Sequence, residues 1–100
     1  MTTLVLDKEP KVVSVAVKKD KLVVDLADGR SIAVPLRWYP RLLKGKRSER
    51  NNCRILGAGY AIEWPDLDEY IGVEGLVAGR RSSESKKSFA RWLAHRTKNH

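Results

Sequence analysis

The sequence predicts an α+β domain: an antiparallel three-stranded meander, a short helix, a further strand pair and a C-terminal amphipathic helix. Three observations carry this expectation. Apolar residues alternate with period two between residues 12 and 36. The dipeptide Asp28-Gly29, a strong hairpin signal, separates two of those runs. Near the end of the chain Phe89, Trp92 and Leu93 recur at i, i+3 and i+4. At 100 residues the chain has room for one ordinary core. With 42% hydrophobic and 32% charged residues, its composition is globular rather than disordered.

The elements follow in order. Val13, Val15 and Val17 read as one inward face, followed by Leu22, Val24 and Leu26, then Ile32, Val34 and Leu36. Lys18 to Lys21 is polar turn material, and Asp28-Gly29 predicts a two-residue type I′ turn with positive φ at both positions. Trp38, Leu42 and Leu43 have helical spacing, Pro40 suits a first turn, and Gly45 ends the helix. Residues 48–52 read as a second helical turn. Arg54 to Leu56 and Tyr60 to Trp64 read as strands around a Gly57-Ala58-Gly59 turn, closed by Pro65. Residues 73–78 allow one or two helical turns before Gly79, and Ser85 to Arg96 form the last helix. The expected organisation is one domain over residues 1–80 and a basic linker with its helix over 81–100.

The formal charge of +8 is unevenly distributed. Residues 37–54 carry seven basic groups against Glu49, and residues 80–100 carry seven against Glu84. Between them residues 55–79 hold five acids and no Lys or Arg. Internal pairing accounts for part of this pattern but leaves a cationic surplus. The single cysteine, Cys53, rules out an intrachain disulfide and fits a reducing compartment. No leader pattern or apolar run of membrane-spanning length is visible, so the expected location is cytoplasmic, without a membrane partner.

The residues that carry chemistry are sparse. His95 and His100 are the two histidines, and neither has zinc-ligand spacing or an adjacent nucleophile. Gly57-Ala58-Gly59 starts like a phosphate loop but has Ile62 where the third glycine would stand. Glu63, Asp66, Asp68 and Glu69 crowd around Trp64-Pro65; a solvated acidic turn outweighs a magnesium site there. No catalytic residue, metal ligand or cofactor is assigned. Arg37-Trp38-Tyr39-Pro40-Arg41 interleaves arginine with aromatic rings, a pattern that can grip phosphate and stack on bases. A core role is the stronger reading for Trp38.

In order along the chain stand Asp28-Gly29-Arg30, Val34-Pro35-Leu36, Trp38-Tyr39-Pro40-Arg41-Leu42, Glu49-Arg50-Asn51, Trp64-Pro65-Asp66-Leu67-Asp68-Glu69 and Val73-Glu74-Gly75-Leu76. Together they resemble the bacterial domain-of-unknown-function family 2442 over roughly residues 10–80. The resemblance implies a small α+β domain without an established activity. It also implies a gene-pair habit, hence the antitoxin-like half of a pair, and in some members a helix-turn-helix after the domain. This chain has one short basic helix there, and it has Glu63 and Cys53 where histidine and an aromatic are common in relatives.

The leading expectation is therefore a non-catalytic binding module, the antitoxin-like partner of a small toxin-like protein. Trp64, Asp66, Asp68, Glu69 and Glu74 are the candidate protein-partner residues. The alternative is nucleic-acid binding, to DNA or RNA, through Arg37, Arg41, Lys46, Arg47, Arg50, Arg54, Lys87 and Arg91. An exposed strand edge or the Phe89/Trp92/Leu93 stripe offers a route to a homodimer.

Overall fold

The computed structural model describes residues 9–98. Strands β1 (Val12–Lys18), β2 (Lys21–Leu26) and β3 (Ser31–Pro35) form one antiparallel sheet in the order β1-β2-β3. A 3-10 turn (Leu36–Trp38) leads into α1 (Pro40–Leu43) and α2 (Arg47–Asn51). Strands β4 (Arg54–Leu56), β5 (Ala61–Trp64) and β6 (Glu69–Gly72) form a second antiparallel sheet, with a 3-10 turn at Pro65–Leu67. Helices α3 (Val73–Val77) and α4 (Lys86–Lys98) follow. The α+β architecture agrees with the sequence reading.

Period two places Leu22, Val24 and Leu26 inward on the central strand, all buried. On β1 the phase is shifted. A bulge between Val12 and Ser14 leaves Val13 without a cross-strand partner, so Val12 turns into the core while Val13 is 57% exposed. The expectation of Val13 as a core residue is thus corrected. The Asp28-Gly29 hairpin forms with a different turn. Leu26 N–H donates to Arg30 O (2.8 Å) and Gly29 N–H to Leu26 O (3.0 Å), closing a three-residue loop in which only Gly29 takes positive φ.

The further strand pair is a three-stranded sheet. The short, acid-bounded stretch Glu69-Tyr70-Ile71-Gly72 supplies β6, where the sequence reads as an acidic turn. The two sheets meet where Val12 N–H donates to Gly59 O (2.9 Å). Gly59 has φ +107°, and a Cβ there would lie 2.7 Å from Val12 O, so the junction requires glycine twice over. Between the sheets one core gathers Leu22, Val24, Leu36, Leu42, Ile62, Trp64, Leu67 and Val73, all inaccessible to solvent.

The C-terminal part is tied to this core. Helix α3 ends in a Schellman motif, with Gly79 left-handed, Gly79 N–H on Leu76 O and Arg80 N–H on Gly75 O. Residues 80–85 then form a strap: Tyr39 Oη donates to Arg80 O (2.9 Å) and Ser82 N–H to Trp38 O (3.0 Å). Ser85 caps α4 by accepting from Ser88 N–H at 3.0 Å. Trp38 and Cys53 are half-buried against the core. Among the described residues no helix is long and apolar enough to cross a membrane.

Candidate functional site

The two basic blocks, far apart in sequence, pack against each other. Arg41 on α1 donates to both carboxylate oxygens of Glu84 in the strap, and Ser88 Oγ bonds the same carboxylate at 2.8 Å. One α-helical turn later Trp92 lies under the Arg41 guanidinium at 5.2 Å and under that of Arg96 at 4.7 Å. Arg96 in turn forms a two-pronged pair with Glu49 of α2, at 2.8 and 3.1 Å. Helix α4 is therefore tethered to α1 and α2 by charge and by arginine–indole stacking rather than by a wide apolar stripe. Arg41 holds the Glu84 carboxyl below its ordinary range, and Arg96 does the same for Glu49.

The nucleic-acid candidates divide. Arg37, Lys46, Arg47, Lys87 and Arg91 are exposed, joined by Lys44 and Lys86. Lys46 and Arg47 open α2 beside Glu49, and Lys87 and Arg91 occupy the outward face of the helix that Glu49 anchors. Both blocks thus keep exposed cations, Lys46 and Arg47 beside the Glu49–Arg96 contact and Lys87 and Arg91 on the opposite face of α4. The remaining three have partners, Arg41 and Arg50 within the fold and Arg54 at its surface. Arg41 bridges Glu84 and Asp68 with its side chain only 15% exposed. Arg50 caps α1 by donating to Leu42 O at 2.8 Å, and Arg54 pairs across the strands with Glu63 at 2.8 Å. The Trp38 ring lies under the Arg81 guanidinium at 4.9 Å, which covers it against base stacking.

The protein-partner candidates are dispersed. Trp64 is wholly buried and its indole Nε1 donates to Arg50 O at 3.0 Å, so its assignment to a partner surface is corrected: it is core. Asp66 accepts from Asn52 Nδ2 at 2.9 Å rather than from nearby backbone, and Asp68 pairs with Arg41 at 3.3 Å. Glu74 is exposed. Among the described residues no three His, Cys, Asp or Glu side chains group closely enough to share a metal ion.

Glu69 stands in a different setting. It lies in a cleft of about 510 Å³ between β6 and the strap, bordered by Tyr39, Arg41, Tyr70, Gly72, Arg80 and Glu84. Burial pushes its carboxyl above the ordinary range, and burial also raises the Tyr39 phenol beside it. The Cys53 thiol is likewise pushed up by burial, away from the thiolate a nucleophile needs. The sequence did not single out Tyr39, Glu49, Glu84, Trp92 or Arg96 as parts of one network. Isolated acids inside basic blocks were the available signal for Glu49 and Glu84.

A family model described as protein of unknown function (DUF2442) matches residues 12–82. The chain belongs to the DUF2442 family. The family match ends within the strap, so α4 lies beyond it. No functionally curated protein matches the chain. A crystal structure of a protein of unknown function from Rhodospirillum rubrum is similar at TM-score 0.68 and 28% identity, covering 77% of this chain and 95% of that one. The solution structure of an uncharacterised protein from Chromobacterium violaceum is similar at TM-score 0.65 and 21% identity, covering 95% of this chain and 83% of that one. At that identity the second likeness speaks for the DUF2442-type fold alone.

Proposed function

We propose that this DUF2442 protein is a non-catalytic, cytoplasmic binding module that holds nucleic acid along the α2–α4 seam. The observation that supports this best is the packing of the second basic block on the first through the Arg96–Glu49 pair. It leaves Arg37, Lys46, Arg47, Lys87 and Arg91 solvent-facing on the two packed blocks. Phosphate neutralisation by such cations is sequence-tolerant and salt-dependent. If about six phosphates are contacted, log K against log salt falls with a slope near −5. Binding of a single-stranded and a duplex oligonucleotide at two salt concentrations tests this. Retention of neither at low salt removes the reading.

A protein partner is the second reading, in the antitoxin-like sense that the family resemblance implies. Its support is the exposure of Tyr70 (62%) and Tyr60 (52%) on the second sheet, large rings left in water beside Glu74 and the Glu69 cleft. Co-expression with the product of the adjacent gene, followed by size exclusion, tests it; two independent peaks count against it. The two readings are compatible, because they use different surfaces.

A further inference from the structure

Strand β6 has a partner on one side only. Val73 N–H donates to Tyr60 O (2.9 Å), continuing the β5–β6 register by one residue. Bonded and non-bonded pairs alternate in an antiparallel ladder, so Glu69 and Ile71 direct their backbone groups to β5. The N–H and C=O of Tyr70 and the N–H of Gly72 therefore face outward, on the side of the Glu69 cleft. The Tyr70 N–H meets only the Glu69 carboxylate, at 3.3 Å, a long contact. An open strand edge bordering an open cleft is a geometry on which extended peptides add a strand. A volume of about 510 Å³ is in the range of ligand-binding clefts.

Charge selects the occupant. Three cations border the cleft. Arg41 is already held by Glu84 and Asp68 and reaches Glu69 only through space, Arg81 lies on Trp38, and Arg80 makes no side-chain bond to Glu69. Among the described residues no cationic side chain hydrogen-bonds to Glu69, whose carboxylate is partly desolvated. We propose that the cleft beside β6 binds an extended segment of a partner protein, which pairs with the backbone of Tyr70 and Gly72 and sets a lysine or arginine against Glu69. The inference rests on the protein-partner reading and is independent of the nucleic-acid seam.

The test uses the full chain labelled for NMR and two blocked pentapeptides, one alternating valine with lysine, the other valine with glutamate. The lysine peptide is expected to shift the Tyr70 and Gly72 amides at millimolar concentration, and the glutamate peptide to leave them in place. Glu69→Gln should weaken the lysine peptide at least about tenfold, as loss of a charge-assisted bond does. Tyr70→Pro should abolish binding by removing an outward donor, with folding checked by circular dichroism. Absence of binding, equal binding of both peptides, shifts elsewhere, or unchanged affinity in Glu69→Gln overturns the proposal. So does a concentration-dependent shift of the same amides without peptide, which assigns the edge to a second copy. If the co-expressed complex forms and survives both substitutions, the site is wrong while the protein-partner reading stands; if no complex forms, that reading fails by itself.

Discussion

Single residues decide whether the two sheets can meet. Gly59→Ala puts a methyl group 2.7 Å from Val12 O at a backbone angle that L-residues rarely adopt. Urea denaturation should show a loss of about 1–3 kcal/mol or more. Trp64→Phe removes the donor to Arg50 O and part of the core volume, and should lose about 2 kcal/mol in the same assay. Glu69→Gln should act oppositely. Its carboxyl is raised by burial, so the folded protein holds that proton more tightly than the unfolded chain does. Stability from this group therefore falls as pH rises from about 4.5 through the folded value, and a neutral side chain escapes the loss. At pH 7 the variant should unfold at higher urea than the parent. An unchanged or lower midpoint would contradict the desolvation argument.

At the scale of elements, α4 is the informative case. Its 13 residues would be marginal alone, and they persist by docking. The contacts are Arg41–Glu84, Ser88–Glu84, Arg96–Glu49 and the Trp92 ring against Arg41 and the core. Both acids titrate below their ordinary value of 4.5, so their contribution is complete above it and disappears as pH falls through the lowered values. Amide protection factors across residues 86–96 should fall on acidification below pH 4.5, before the strands lose protection. Glu49→Gln should bring the same loosening at neutral pH, and should also weaken oligonucleotide binding if the seam is the nucleic-acid surface. Retained α4 protection in that variant would mean that packing, not charge, holds the helix. The sequence does locate this helix and its Ser85 start. Its dock was not legible, because Arg41 and Glu84 are 43 residues apart, and Arg96 and Glu49 are 47.

For the whole molecule, residues of both sheets share one core, with Leu22, Ile62 and Trp64 buried together. Unfolding should then be a single cooperative transition, with tryptophan fluorescence and far-ultraviolet circular dichroism tracing coincident curves. Separate midpoints would show two independent sheets.

The sequence alone determined the α+β class, the meander, the glycine turns and most of the short helices, because those depend on local periodicity and turn chemistry. It missed β6, whose four residues are too few to show a period, and it misplaced Val13, because a bulge changes phase without changing composition. The family was also legible, through an ordered set of short motifs. Only the tertiary structure decided which charges are spent. Arg41 and Arg50 satisfy acids and helix carbonyls inside the fold and Arg54 pairs with Glu63 at the surface, while Arg37, Lys46, Arg47, Lys87 and Arg91 stay in water. A charge acts over a few ångströms set by the folded chain, and nothing in its sequence neighbourhood encodes that distance.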